Sequence, residues 1–295
     1  MSEAIRSLER ENRLAAGRIS RRFAVLAEKG ELGIVAYLTA GDPTLAASGE
    51  IVLAAAEAGA DVVELGVPFS DPMADGPTIQ RASGRALRSG TTLAGVLSLA
   101  HRVREKSDVP LVLFSYYNPI LQAGLETFAS DAASAGIDGV LATDLTPEEA
   151  GEYRNVLRGR GLDTIFLAAP TSTDARLSLI AKATTGFLYL ISRTGVTGTR
   201  DALPEDLPAL VRRARASTKL PIAVGFGISL PTHVSVLGGI ADAAVVGSAL
   251  VAQVEGAADP QAAARAVGEL IRSLKRAARA GVSRRSAQVE SEQTS

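Results

Sequence analysis

Eight short apolar runs recur along this chain with helix-type patterns between them, and that alternation restricts the fold more than any other feature. The runs are Gly33–Thr39, Asp61–Leu65, Leu111–Ser115, Gly139–Ala142, Thr164–Ala168, Phe187–Ser192, Pro221–Val224 and Ala243–Val246. They read as continuous apolar segments, the pattern of parallel strands covered on both faces. Between them, Ile51, Leu53, Ala54, Ala55 and Ala58, and again Phe128, Ala132 and Ala135, are spaced as one face of a helix. Eight alternating β and α elements in about 250 residues predict an α/β chain folded as a single TIM-type (β/α)8 barrel. A doubly wound open sheet is the structural alternative.

Two segments fall outside the eightfold count. Residues 3–29 predict an additional helix before the first strand, with Ile19, Phe23 and Leu26 at i, i+4 and i+7. Gly281 to Ser295 is rich in Ser, Arg, Glu and Gln without apolar periodicity, so it is expected as a polar, frayed tail on a barrel domain spanning 1–280.

Composition narrows the function. A formal net charge of −1 gives no global electrostatic case for nucleic acid or an anionic membrane. Cysteine is absent, which removes disulfides, thiolate metal sites and a Cys nucleophile. Met1 to Glu11 is charged throughout and lacks the apolar core of a secretory signal. No apolar run reaches the roughly 18–20 residues that span a bilayer. The expectation is a cytoplasmic protein.

Glycine-bearing segments follow the sixth, seventh and eighth predicted strands: Gly195-Val196-Thr197-Gly198, Gly225-Phe226-Gly227-Ile228-Ser229 and Gly247-Ser248. Glycine lets backbone approach an anion, and N–H groups at a helix start can hold it. Loops after strands seven and eight are the usual phosphate site of such barrels, although turns between strand and helix use glycine anyway. The stretch from Ser192 to about Pro204 is longer than an ordinary βα connection and reads as a lid.

The available chemistry is limited. The two histidines, His101 and His233, fall in helical segments away from predicted strand ends, and the five lysines fall in helices or before strands, which argues against an imine-forming aldolase. With no Cys, a transition-metal site is not expected. Carboxylates and tyrosines remain: Glu64, Asp75, Asp144, Tyr37, Tyr116, Tyr117 and Tyr189. Glu64 ends an apolar strand and Asp75 lies in the Pro/Gly-rich loop that follows it. This places two carboxylates on one strand–loop–helix unit, where acid–base work belongs. The plain alternatives are a Glu64 paired with an arginine inside the barrel, an Asp75 that caps the helix opened by Gly76-Pro77, and an Asp144 that is an ordinary turn or cap residue.

The run Glu64-Leu65-Gly66-Val67-Pro68-Phe69-Ser70-Asp71-Pro72-Met73-Ala74-Asp75-Gly76-Pro77 closely resembles the signature of the tryptophan synthase alpha subunit family. Supporting segments keep order and spacing from about Gly33 to Ala249. They are Tyr37 to Pro43, Tyr116-Tyr117-Asn118-Pro119, Ala169-Pro170-Thr171-Ser172, Ser192 to Gly198 and Gly225 to Ser229. The resemblance implies cleavage of indole-3-glycerol phosphate to indole and glyceraldehyde 3-phosphate, with no cofactor and no metal on this chain. It carries Glu64 and Asp75 onto the two catalytic acids and Tyr189 onto the active-site tyrosine. Thr197 falls on a lid threonine, Gly198, Gly227, Gly247 and Ser248 on phosphate-binding positions, and Tyr37 and Phe114 on the indole pocket. It also implies an alpha2beta2 complex with a beta subunit that carries pyridoxal phosphate, met through Pro68, Asp71, Asn118 and Pro119. Three features depart from the family pattern: Ser115 replaces a common glycine, Thr143 stands where proline is frequent, and the chain beyond about Ala280 has no counterpart. Rival readings are another phosphosugar isomerase or lyase, and a non-catalytic partner-binding barrel.

Overall fold

The computed structural model describes residues 17–192, 203–225 and 227–293, with side chains as far as Arg279. Helix α1 (Arg18–Lys29) precedes β1 (Gly33–Thr39), α2 (Leu45–Glu57) and β2 (Val62–Gly66). Two helices, α3 (Pro77–Arg88) and α4 (Leu93–Arg104), lead to β3 (Leu111–Ser115), and another two, α5 (Tyr117–Ala123) and α6 (Leu125–Ser134), to β4 (Gly139–Ala142). Then come α7 (Gly151–Gly159), β5 (Asp163–Ile165), β6 (Leu167–Ala168), α8 (Asp174–Ala183) and β7 (Leu188–Ile191). The chain continues through α9 (Leu207–Ser217), β8 (Ile222–Gly225), α10 (Pro231–Leu237), β9 (Ala243–Val246), α11 (Ser248–Glu255) and α12 (Pro260–Gln293).

All pairings are parallel, in the order β5-β4-β3-β2-β1-β9-β8-β7-β6. The predicted strand Thr164–Ala168 is one stave interrupted at Phe166, so β5 pairs with β4 while β6 pairs with β7. The two halves of that stave close the barrel, and the sixth, seventh and eighth predicted strands are β7, β8 and β9. The open-sheet alternative falls with this closure.

Alternation along each strand divides the core. Val35, Val62, Val112, Leu141, Ile165, Phe187, Ala223 and Val245 fill the barrel interior, while Ile34, Val63, Leu113, Val140 and Leu188 pack outward against the helices. Threonines cap several helices: the side chains of Thr44, Thr92 and Thr173 accept from the amides of Ala47, Gly95 and Arg176. Helix α1 is the predicted extra helix over its described part. Its Ile19, Phe23 and Leu26 are buried in the same cluster as the inner strand residues, so it stoppers the N-terminal end of the barrel.

That floor is held by aspartates placed just before strands. Asp61 accepts from the Ile34 amide at 2.6 Å, Asp138 from Leu111 at 2.8 Å and Asp242 from Ile222 at 2.7 Å, each tying its strand to a neighbour. Cations complete each carboxylate: Arg22 and Lys275 on Asp61, Arg18 and Arg104 on Asp138, Arg215 on Asp242. Asp61, expected to open the second strand, therefore stands one residue before it. The segment expected as a polar tail carries helical backbone to Gln293 as the end of α12. Its Ala, Arg, Glu and Gln are good helix formers, so propensity suffices where periodicity is missing.

Candidate active site

The opposite, C-terminal end of the barrel holds a cavity that is open at its mouth. Its lining brings Asp75 and Gly76 together with the rings of Tyr37, Phe114 and Tyr189 and the aliphatic Ile79 and Val245. The turns Gly227-Ile228 and Gly247-Ser248 complete it. Of the expected site residues, Tyr37, Phe114, Tyr189, Asp75, Gly227, Gly247 and Ser248 all meet here. Thr197 and Gly198 lie outside the described residues, as does most of the expected lid. Among the described residues no Lys or Arg lines the cavity; what they offer an anion at the glycine turns is backbone N–H groups and the Ser248 hydroxyl.

Glu64 stands behind this lining. It faces the barrel interior from β2, opposite Tyr37 in the β1–β2 register, and is 0% exposed. Among the described residues neither carboxyl oxygen has a hydrogen-bond partner and no arginine pairs with it, so the arginine-paired alternative finds no support there. Removal from water with nothing to stabilise the anion pushes its pKa up to about 8.

Asp75 is held differently. It does not cap the following helix: Gly76 is the N-cap of α3 and no side chain bonds there. Instead the Tyr116 hydroxyl donates to Asp75 Oδ2 at 3.3 Å and accepts from the Ala74 amide at 2.9 Å. Burial raises the Asp75 pKa, the Tyr116 bond pulls it back, and the balance is about 6. The two acids thus differ because one has a donor and the other has none. Burial also raises Tyr37 and Tyr189, reinforced by the charges of Asp75 and Glu64, so both phenols stay protonated.

Two inward-facing glycines at strand ends make this wall possible. A Cβ on Gly66, the last residue of β2, would lie 2.2 Å from the Tyr37 hydroxyl oxygen, and one on Gly225, the last of β8, 2.4 Å from that of Tyr189. Gly225 was expected to serve an anion; its observed duty is to leave room for a phenol. Tyr37 also meets Phe114 edge-on, with ring centroids 5.1 Å apart.

Other expectations resolve simply. Asp144 accepts from the Tyr117 amide at 2.7 Å and so steadies the start of α5, as the plain alternative has it. His101 is exposed, but His233 is buried beside the loop after β8, closer to a strand end than expected, with its Nδ1 facing the Ser229 amide at 3.3 Å. Ile79 and the Tyr116–Asp75 contact were missed. Ile79 was legible as the inner position of an Ile79, Ala82, Ala86 face on α3; nothing local in sequence joins residues 41 apart.

A closed (β/α)8 barrel with a carboxyl-bearing cavity at the C-terminal ends of its strands has the architecture of a barrel enzyme. The sequence model of the family described as tryptophan synthase alpha chain matches residues 23–279, and the chain belongs to that family. It is 52% identical over 259 residues to the tryptophan synthase alpha chain of Solibacter usitatus, covering 88% of this chain and 97% of that one. It is 55% identical over 234 residues to that of a Geobacter strain, covering 79% and 88%. Among solved structures, Mycobacterium tuberculosis tryptophan synthase superposes with a TM-score of 0.82 at 35% identity over 90% of this chain and 99% of that chain. The alpha subunit from Legionella pneumophila gives 0.79 at 36% over 88% and 98%.

Proposed function

We propose that this chain is a carbon–carbon lyase of tryptophan biosynthesis that splits indole-3-glycerol phosphate into indole and glyceraldehyde 3-phosphate. The observation that carries the reading is Asp75 on the wall of an aromatic-lined cavity with the buried Glu64 carboxyl behind that wall, their pKa values raised to about 6 and about 8. Environments that push two carboxyls apart define an acid and a base.

Near neutral pH Glu64 holds its proton and Asp75 is mostly ionised. Glu64 donates to indole C3, and the ring becomes an indoleninium cation. Asp75 accepts a hydrogen bond from the ring N–H and balances that charge. The hydroxyl on the glycerol carbon bonded to C3 then loses its proton to the Glu64 carboxylate. The C–C bond breaks, its electron pair returns to the ring, and the oxygen becomes the aldehyde of glyceraldehyde 3-phosphate. Glu64 ends as it began, and one proton has moved from oxygen to carbon. Each positioned acid–base group is worth about 10²–10⁴-fold.

Tyr37, Phe114, Tyr189 and Ile79 supply the walls for a flat apolar ring. Gly227, Gly247 and Ser248 hold the phosphate through N–H groups and a hydroxyl at the start of α11. Thr197 and Gly198 are assigned to the lid and phosphate by resemblance. The chain works beside a beta subunit. Pro68 is itself buried, so the face offered to the partner is Asp71, Asn118 and the half-buried Pro119, with the exposed apolar side chains of Met73 and Leu121. Among the described residues no helix is long and apolar enough to cross a membrane, and we place the chain in the cytoplasm.

The test is release of glyceraldehyde 3-phosphate from indole-3-glycerol phosphate by the purified chain, alone and with a beta subunit. Slow release that rises strongly with the partner is expected. No release in either condition refutes the reading.

A further inference from the structure

Four charged side chains outside the cavity connect three of the βα units that build it. Asp42, 3% exposed, follows β1, the strand of Tyr37. Arg81 and Arg85 stand one turn apart on α3, the helix that begins two residues after Asp75 and carries Ile79 into the cavity. Glu255 is the last residue of α11, whose first residue is Ser248. Arg85 grips Asp42 with two parallel bonds, Nε to Oδ1 at 2.9 Å and Nη2 to Oδ2 at 2.8 Å. Its remaining Nη1 reaches Glu255 Oε1 at 2.7 Å. Arg81 grips the same Glu255, Nε to Oε1 at 2.8 Å and Nη2 to Oε2 at 2.7 Å.

The placement of Glu255 is informative. A carboxylate at a helix C-terminus opposes the helix dipole, so local preference does not put it there. What holds it ionised is the Arg81 bond first and Arg85 with it, which draw its pKa down to about 2. Forked guanidinium–carboxylate contacts fix direction as well as distance.

We propose that Arg85 and Glu255 are positioning residues, a latch that sets the distance between the Asp75 loop at the head of α3 and the phosphate turn at the head of α11. This rests on the proposed cleavage of indole-3-glycerol phosphate, whose ring and phosphate lie at opposite ends of one short chain. A substrate held at both ends reports the spacing of its two holders. Misplacement of about 1 Å at a reacting centre can cost about 10²-fold.

The test compares Glu255→Ala with wild type on indole-3-glycerol phosphate and on indole-glycerol, the same molecule without phosphate. With the latch open, kcat/KM for the phosphorylated substrate falls about tenfold. For indole-glycerol it stays within about twofold, as for an ordinary surface change, because nothing anchors its far end. Glu255→Gln, which keeps an acceptor for one arginine, recovers part of the loss. Arg81→Ala, at a 54% exposed side chain, gives a folded second variant with the same pattern. Equal losses on both substrates, or no loss on either, overturn the latch. A wild-type chain that turns over neither substrate removes the functional reading and the latch together.

Discussion

The Tyr116 hydroxyl lies 3.3 Å from Asp75 Oδ2 and 2.9 Å from the Ala74 amide, so one phenol holds both the side chain and the backbone of the loop that carries the second acid. Its ring is in turn stacked on Phe69 of the same loop, centroids 5.0 Å apart. The loop leaves β2 and comes back over β3, and Tyr116 is the post it closes on. Tyr116→Phe keeps the stacking and removes both hydrogen bonds. The Tyr116 bond lowers the Asp75 pKa, so its loss raises that pKa above about 6. Less Asp75 is then ionised at neutral pH. The acid limb of the kcat/KM profile should move to higher pH, with a loss of about twofold or more near pH 7. An unmoved acid limb refutes Asp75 as the group that titrates there.

In the wild-type protein the same values predict a bell. Activity rises as Asp75 ionises near about 6 and falls as Glu64 loses its proton near about 8. The profile of kcat/KM reports the free enzyme, the state these values describe. Glu64→Gln keeps the shape and removes the exchangeable proton, so turnover should fall by at least about 10²-fold while binding of glycerol phosphate is retained. A bell that persists at normal height in Glu64→Gln excludes Glu64 as the proton carrier.

Glu64 also carries a stability consequence opposite in sign to its catalytic one. Its folded pKa is raised, from 4.5 to about 8. Between those values the unfolded chain gives up the proton and the folded chain keeps it. The folded state therefore binds more protons, and stability falls as pH rises through this window. The contribution is intact below the unfolded value and lost above the folded one. Glu64→Gln has nothing to ionise, so its Tm should exceed that of wild type at pH 8 and match it near pH 4.5. This is the usual exchange of stability for a working site. A Tm difference independent of pH would falsify the buried, unpartnered carboxyl.

The sequence carried the barrel because buried parallel strands are written as local apolar runs, and their ends were placed within one or two residues. Glu64 and Asp75 were legible because one strand and its loop hold both. The interruption at Phe166 was not, since an unbroken apolar run from Thr164 to Ala168 carries no mark of where its pairing passes from β4 to β7. Contacts across the fold were equally hidden. Lys275 on Asp61 spans 214 positions and Arg85 on Asp42 spans 43, and neither follows a motif. Gly225 was read as part of an anion-binding turn. Its meaning, the absence of a Cβ in front of Tyr189, exists only once β7 and β8 lie side by side.

The floor of the barrel offers a prediction free of catalysis. Asp61, 1% exposed, accepts from the Ile34 amide, Arg22 and Lys275 at once. Asp61→Asn leaves a buried ammonium facing a neutral amide and loosens the seat of α1. Breaking one partner of such a buried pair costs about 3–5 kcal/mol. The cavity lies at the other end of the strands, so kcat and KM of the folded fraction should be unchanged. Denaturant unfolding beside steady-state kinetics separates the two, and a changed KM in folded Asp61→Asn contradicts the division between floor and site.

Gly225→Ala tests the wall itself. Its new methyl would stand 2.4 Å from the Tyr189 hydroxyl oxygen and 2.8 Å from the ring, closer than a Cβ approaches any atom it is not bonded to. Tyr189 must swing or β8 must shift, and overpacking of this kind costs about 1–3 kcal/mol. Because Tyr189 lines the cavity, kcat/KM should fall with the Tm. Tyr189→Phe deletes the nearest atom and leaves ring atoms still too close, so it should restore only part of the Tm when added to Gly225→Ala. The two changes then couple, with the double variant less destabilised than the sum of the singles. Gly247→Ala is the contrast: its methyl meets the Tyr37 side chain at 3.5 Å, an ordinary contact, so steric clash with that ring should cost no Tm. Strict additivity of Gly225→Ala and Tyr189→Phe would show that the glycine serves something other than the phenol in front of it.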